Sequence, residues 1–243
     1  MTLNPFHHSQ VRSTSVALLV GLFVSAPAFA AFAPGGFSVA VVSTAGSTTP
    51  TNTVAPVSAT TWAATGGWTF GGASVSWTNN TQGWNSLTST GFTSGNVVIR
   101  NESAAAQDYT ITIGMTGVAA GPLVVSGSVG GQFLNTSFGL GSLTSSGPLW
   151  SALVDGATAR NEFNNTLVFA QPFQIISLGN ANFSNVVVPT STASTLAIRL
   201  SVRMSAGSEA SFTSTFAFQA VPAPGAIALI TVAGMFGRRL RRR

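Results

Sequence analysis

"LAIRLSVRM", residues Leu196–Met204, alternates without a break between large apolar side chains and polar or small ones. Successive side chains of a β-strand point to opposite faces of its sheet, so the pattern predicts a strand with one buried face and one wet face. "FTSTFAF", Phe212–Phe218, repeats it, with the phenylalanines sharing a face with Ser214. Ser205–Glu209 between them is turn-like, which predicts that the two strands form an antiparallel hairpin.

The rest of the central sequence also reads as strands. Tyr109–Ile113 alternates in the same way, and short apolar runs separated by Gly, Asn, Ser and Pro predict further strands at Phe37–Val42, Trp68–Phe70, Ala73–Thr78, Asn96–Arg100, Leu123–Val129, Leu149–Val154, Leu167–Phe169, Phe173–Ile176 and Val186–Val188. Many short strands with frequent turns favour an all-β fold, a single antiparallel β-sandwich of jelly-roll or immunoglobulin-like type. Residues 43–65, mostly Ser, Thr, Ala, Pro and Gly, are predicted to be a flexible linker or a loop before the main sheet.

The first thirty residues have the pattern of a secretory signal peptide. Arg12 is the only charged side chain ahead of the apolar run Val16–Val24, and Ala28 and Ala30 form a small-x-small pair around Phe29. This order predicts a signal helix that signal peptidase removes by cutting after Ala30. The apolar run is too short for a comfortable membrane anchor, since a crossing helix needs about 20 apolar residues.

The last residues have three ordered parts. Val221-Pro222-Ala223-Pro224 disfavours helix and leaves an extended strip suited to a protease. Gly225–Gly237 is apolar apart from one threonine and predicts a short membrane helix, and a basic cluster follows at Arg238, Arg239, Arg241, Arg242 and Arg243. The positive-inside rule would keep these arginines in the cytoplasm and the body outside. An ordinary tail anchor remains an alternative, whereas the apolar run argues against a nucleic-acid-binding tail.

Val221, Pro222, Ala223, Pro224 and Gly225, followed by an apolar helix and terminal arginines, resemble the PEP-CTERM sorting signal of exported bacterial proteins. Ala223 stands where that family usually has glutamate. The resemblance covers residues 221–243. It implies that an exosortase-like enzyme cuts the tail, that the protein is held transiently in the inner membrane, and that it then reaches the cell surface or extracellular matrix. The predicted organisation is therefore a signal peptide (1–30), a low-complexity segment or first strand plus loop (31–65), a β-sandwich body (66–220) and a sorting tail (221–243).

The formal net charge of +5 comes from the two ends of the chain. Without Arg12 and the five tail arginines, four arginines face five carboxylates, which gives 4 − 5 = −1. A body with this balance lacks the basic patch that phosphate-backbone binding needs, so nucleic acid is not expected as a partner.

The residue types of the body exclude several chemistries. The sequence has no cysteine, all ten basic residues are arginines, and both histidines, His7 and His8, fall in the predicted signal peptide. Serine–histidine and cysteine–histidine nucleophiles, Schiff-base lysines and the usual zinc ligands are therefore missing from the body. We expect no catalysis, no cofactor and no bound metal.

Two carboxylates and one tryptophan are the remaining candidates for a site. Asp155 and Glu162 flank a predicted loop. They could act as a glycosidase pair, Asp155 could be a weak calcium ligand, or the two could simply make an Asp-Gly turn and a surface ion pair with Arg160. Trp84, in the polar stretch Asn79–Asn85, is a candidate sugar contact or a buried loop anchor, while Trp68 and Trp77 are expected in the core.

Five Asn-x-Ser/Thr triplets, which begin at Asn79, Asn101, Asn135, Asn164 and Asn182, are expected by chance in this composition rather than as glycan acceptors. Together these features predict an exported surface or matrix protein with a structural or adhesive role. The alternative is a carbohydrate-binding module that attaches to exopolysaccharide.

Overall fold

The structure is a computed structural model that describes residues 37–46, 48–57, 61–85, 90–120, 122–189 and 192–221. These residues form fourteen β-strands in two antiparallel sheets of seven strands each. The predicted signal peptide, with Ala28 and Ala30, lies outside the described residues. So does the predicted tail apart from Val221, including Pro222, Ala223 and Pro224 of the sorting motif and the apolar and arginine-rich parts.

Sheet A contains seven strands: β1 (Phe37–Ser43), β6 (Gln107–Ala120), β8 (Gly141–Thr144), β9 (Pro148–Val154), β10 (Ala157–Asn164), β11 (Leu167–Ala170) and β13 (Thr192–Met204). Its order begins β1-β6-β13. On its other side β13 pairs with both β8 and β9, which pair in turn with β11 and β10.

Sheet B contains β2 (Thr51–Pro56), β3 (Thr61–Phe70), β4 (Ala73–Asn85), β5 (Thr90–Asn101), β7 (Leu123–Asn135), β12 (Ile175–Val188) and β14 (Ser208–Ala220). The strand order is β12-β7-β14-β5-β4-β3-β2.

Period-2 alternation determines which side chains enter the core. All five even-numbered residues of Leu196–Met204 are buried on β13, and Phe212, Ser214, Phe216 and Phe218 are buried on β14. Tyr109, Ile111 and Ile113 are buried on β6. The buried apolar side chains of both sheets form one cluster. The alternating strands and the all-β sandwich are therefore confirmed. The strands predicted at Phe173–Ile176 and Val186–Val188 are corrected: Phe173 lies in a turn with a φ of 59°, and a single strand, β12, runs from Ile175 to Val188.

The predicted hairpin between Leu196–Met204 and Phe212–Phe218 is wrong. The first stretch lies in β13 of sheet A and the second in β14 of sheet B, so the link around Ser205 crosses between the sheets. Alternation only tells that each strand has one apolar face. Here the two faces meet across the core instead of lying side by side in one sheet.

Several connections wind back and forth between the sheets, as in β5–β6, β7–β8, β11–β12 and β13–β14. Two sheets joined by such crossovers form one β-sandwich. Strands β2, β3 and β4 form one side of sheet B, and β1 forms one edge of sheet A. Strand β2 lies within the serine- and threonine-rich segment 43–65, and β8 and β10 are further strands that the sequence did not predict.

Two buried asparagines tie these crossovers together. Asn101 ends β5, and its Nδ2 donates to the carbonyls of Ala105, Met204 and Ser205 at 2.9–3.1 Å. Its Oδ1 accepts from the backbone N–H and hydroxyl of Ser103. Thus one side chain at the end of sheet B holds both the β5–β6 and the β13–β14 connections.

Asn135 repeats this arrangement at the end of β7. Its Nδ2 donates to the carbonyls of Gly139, Ala170 and Gln171, and its Oδ1 accepts from the N–H and hydroxyl of Ser137. It therefore joins the β7–β8 and β11–β12 connections. We call these two groups the asparagine corners; Ser208 pairs with both asparagines in the sheet register.

Both ends of the described sandwich leave it at the pole opposite the asparagine corners. Phe37, at the start of β1, pairs with Met115 near the far end of β6, and Ala220, the last residue of β14, pairs with Leu123. The N–H of Val221 donates to the carbonyl of Pro122 at 2.9 Å. This contact fixes where the chain leaves sheet B.

Candidate functional site

Asp155 occupies a tight turn between β9 and β10. Asp155 and Gly156 have φ values of 49° and 78°, and the flanking residues Val154 and Ala157 pair directly. Positive φ at both central positions is the requirement of a two-residue type I′ hairpin, which Asp-Gly favours. The Asp155 carboxylate accepts hydrogen bonds from the N–H and hydroxyl of Thr195. These hydrogen bonds to Thr195 therefore hold the turn between β9 and β10 in place.

Glu162 lies on β10 beside Arg160, whose Nε is 2.7 Å from the Glu162 carboxylate. At about 3.3 Å per strand residue, the steps from Ala157 to Glu162 separate Asp155 and Glu162 by roughly 15 Å. A glycosidase pair needs roughly 5–9.5 Å. The structure therefore does not bring these two carboxylates together. Within the described ranges, no group of three or more potential metal-ligating His, Cys, Asp or Glu residues is present.

Four of the five tryptophans are core residues. Trp62, Trp68, Trp77 and Trp150 are all buried, which confirms the expectation for Trp68 and Trp77. Trp77 donates its indole N–H to Asn52. Asn79–Asn85, interpreted from sequence as a loop, continues β4 instead. The side chain of Trp84 lies outside the described part of the structure.

The asparagine triplets fall in different environments. Asn101 and Asn135 are fully buried in the asparagine corners, and Asn79 is buried where it accepts a hydrogen bond from Thr93. Asn164 and Asn182 are exposed. The recurrence of Asn-x-Ser at the two corners therefore has a structural cause, which the sequence interpretation missed.

A polar groove crosses the outer face of sheet B around Gly130. Two adjoining cavities of about 380 and 240 Å³ share Gly130, Asn180 and Thr213 in their walls. A Cβ atom at Gly130 would overlap the side-chain oxygen of Asn180, so the missing side chain leaves the groove open. We call this feature the Gly130 groove; its other polar walls include Asn96, Ser128, Gln132, Ser177, Asn182 and Ser211.

The groove belongs to a polar row that runs across the whole of sheet B. The register places one residue of each strand in line: Asn180, Gly130, Thr213, Asn96, Thr78, Thr65 and Thr53. At about 4.8 Å between strands, the row is roughly 29 Å long. The Thr213 hydroxyl donates to Asn96 at 3.0 Å, which orders part of it.

A separate cavity, of about 360 Å³, lies on sheet A between β13 and the β8–β9 connection. Arg199, Ser201 and Thr110 are among its walls, as is the ion pair in which Arg203 Nη1 lies 2.7 Å from Asp108. We call it the Arg199 notch. Tyr109 also borders it; burial raises the pKa of Tyr109 to about 12, and its hydroxyl is 3.4 Å from the carbonyl of Arg100.

Neither cavity was predicted, because each depends on strand pairing. Polar alternation on β7 and β14 signals wet faces, but only the register aligns Gly130 with Thr213 and Asn180. Likewise, the alternation of β13 shows that Arg199 faces outward without revealing the gap beside it.

Comparison with known proteins gives no family and no curated relative. Among solved structures, the chain is similar to TmCBM61 in complex with beta-1,4-galactotriose, at 12% identity and a TM-score of 0.25 over 59% of this chain and 88% of the other. It is also similar to the VP2 subviral particle of infectious bursal disease virus, at 13% identity and a TM-score of 0.09 over 78% of this chain and 43% of the other. Within the described residues, no helix is long and apolar enough to cross a membrane.

Proposed function

We propose that this protein is exported and acts outside the cell as a non-catalytic adhesive β-sandwich, and that the Gly130 groove contacts neutral polysaccharide. The observation that carries the proposal is the row of hydroxyl and amide side chains that crosses sheet B and opens into the groove. Amide side chains both donate and accept hydrogen bonds, as do hydroxyls, so they match the mixed donors and acceptors of a sugar chain. The charged residues on this face, Arg100 and Glu209, pair with each other at 2.7 Å.

The test of this function is binding of the purified protein to a panel of uncharged polysaccharides, by affinity electrophoresis and calorimetry. Replacing Asn96 and Asn180 together by alanine removes amides from two sides of the groove. We expect this double variant to bind about tenfold more weakly or worse, because each lost hydrogen bond costs about 0.5–1.5 kcal/mol. Thr158→Ala, at an exposed position of β10 on sheet A, is the control and should bind like the parent. If the Asn96/Asn180 double variant bound as tightly as Thr158→Ala, or if the parent protein bound none of the polymers, the proposal would be contradicted.

Export and sorting form the second part of the proposal and are supported by the terminal sequences alone. We expect an exosortase-like enzyme to act at Val221–Gly225 after signal peptidase has cut behind Ala30. Cells that express the chain with and without residues 221–243 should differ in where the protein is found. The full chain should reach the surface or matrix, whereas retention of both forms in the cytoplasm would rule out this route.

A further inference from the structure

Arg199 differs from the other arginines of the β-sandwich. Three of them are in ion pairs with N–O distances of 2.7 Å: Arg100 with Glu209, Arg160 with Glu162, and Arg203 with Asp108. Arg199 makes no ion pair or side-chain hydrogen bond within the described ranges. It is also only partly exposed, in the wall of the Arg199 notch. Its guanidinium donors are therefore available to a ligand that enters the notch.

The notch results from a gap in the strand pairing of sheet A. On this side, β13 pairs with β9 from Leu196 to Leu200 and with β8 only at Arg203 and Met204. Ser201 and Val202 therefore have no strand partner there, and the connection between β8 and β9 arches around them.

Hydrogen bonds hold that arch in place. The hydroxyl of Ser145 donates to the carbonyl of Gly147 and accepts from the N–H of Thr166, while the N–H of Ser145 donates to the Thr166 carbonyl. The opening is thus a built cavity with a hydroxyl-rich rim that includes Ser146 and Thr110.

The charge pattern of the notch selects one kind of ligand. A guanidinium binds a carboxylate through two parallel N–H donors, and the surrounding hydroxyls suit the oxygens of a sugar ring. Asp108 and Arg203 border the same cavity and neutralise each other, which leaves the single charge of Arg199 for a ligand. The site therefore suits one carboxylate at a time, with the hydroxyls of the same sugar ring against the rim.

We propose that the Arg199 notch binds the carboxylate of an acidic sugar, as found in polyuronate chains, on the sheet opposite the Gly130 groove. The two sites share no residue. A test of acidic-polymer binding at the notch is therefore independent of a test of neutral-polymer binding at the groove. Either result can be negative without affecting the other.

The experiment compares binding of a soluble polyuronate, its carboxyl-reduced form and a sulfated carboxyl-reduced form to the purified protein by calorimetry. We expect the polyuronate to bind, the reduced form not to bind, and binding to weaken as salt is raised. Binding of the sulfated form as tightly as the polyuronate would show that the notch accepts any anion and would overturn its assignment to carboxylates. Absence of polyuronate binding would overturn the site altogether.

Variants locate the interaction. Arg199→Gln should weaken polyuronate binding by about tenfold or more, since a hydrogen bond to a charged group is worth about 1.5–3 kcal/mol. Arg100→Gln, which removes an arginine from sheet B, should leave it unchanged. Ser146→Asp places a carboxylate on the rim in an exposed loop and should reduce binding even if Arg199→Gln disturbs folding. Unchanged affinity in Arg199→Gln or in Ser146→Asp would contradict the proposal.

Discussion

Asn101 and Asn135 show how much of this fold depends on single polar side chains. Each is fully buried, and each divides its hydrogen bonds between the connection that follows it and a second connection distant in sequence. The two Nδ2 hydrogens are shared among three carbonyl oxygens, so no other side chain of similar size can replace them. In a protein without cysteine, these corners tie the crossovers, a role that disulfides have in small secreted domains.

Substituting Asn101 by aspartate should strongly destabilise the fold, by about 3–5 kcal/mol, because a buried carboxylate would face three carbonyl oxygens. Asn135→Asp should behave in the same way. Asn164→Asp, in an exposed triplet of the same type, is the control and should change stability by less than about 0.5 kcal/mol. Denaturant unfolding measures all three. Similar midpoints for Asn101→Asp and Asn164→Asp would show that the corner contributes little.

Tyr109 predicts a specific loss of stability at high pH. Burial raises its pKa from the ordinary tyrosine value of 10.0 to about 12 in the folded protein. The folded state therefore holds the phenolic proton more tightly than the unfolded state. The stabilisation from the protonated phenol is complete below about pH 10. As the pH rises towards 12, the free energy of unfolding falls by about 2–3 kcal/mol.

Because Tyr109 is the only tyrosine in the sequence, tyrosinate absorbance reports it directly. The titration midpoint should lie near 12 in the native protein and near 10 in denaturant. A native midpoint near 10 would mean that the ring is not buried as described. Tyr109→Phe should remove this titration while keeping the ring in the core.

In strand β14, buried phenylalanines pair with glycines of the neighbouring strands. Its buried phenylalanines stand opposite glycines on the neighbouring strands, in the pairs Phe212–Gly131, Phe216–Gly127 and Phe218–Gly91. A Cβ added at Gly131 would lie 2.8 Å from the Phe212 ring, and one at Gly91 would overlap Phe218. The Phe212 and Phe218 rings therefore occupy space that a side chain on the next strand would need, whereas a Cβ at Gly127 would meet Phe183.

Gly91→Ala should accordingly cost about 1–3 kcal/mol through overpacking, although alanine normally suits a strand better than glycine does. Gly67→Ala on β3 is the matched control. Its new Cβ would approach no closer than 3.5 Å, to the Val75 carbonyl, so it should be neutral or slightly stabilising. Thermal unfolding of the two variants tests this, and a stable Gly91→Ala protein would disprove the steric role of the glycine.

The same element shows what the sequence could and could not predict. Alternation identified the buried faces of β13 and β14 because burial depends on side-chain direction within one strand. It could not show that the strands lie in different sheets, since partner choice depends on contacts between residues distant in sequence, such as those of Asn101 with the carbonyls of Met204 and Ser205. For the same reason the polar face of sheet B was predictable strand by strand, whereas its alignment into a groove was not.

For the whole molecule, both sheets share one apolar cluster, and most neighbouring strands are far apart in sequence. Strand β14 pairs with β5 over residues 208–219, so the central part of sheet B cannot form until most of the chain is present. Such a topology favours all-or-none unfolding and slow folding.

We therefore expect a single unfolding transition in guanidinium, with tryptophan fluorescence and far-UV circular dichroism following the same curve. Refolding should take milliseconds to seconds, as for other proteins with many distant contacts. Addition of a reducing agent should change neither curve, because there are no cysteines. Two separate transitions would show that β2, β3 and β4 form a unit of their own.

The shared exit of both described ends at one pole has a consequence for presentation. A molecule tethered through Val221 would stand upright on its support, with the asparagine corners outermost and its two broad faces directed sideways. Neighbours standing in this way would hold the Gly130 groove of one molecule towards the Arg199 notch of the next. In a crowded layer, polysaccharide chains would then lie between adjacent molecules and not on top of the layer.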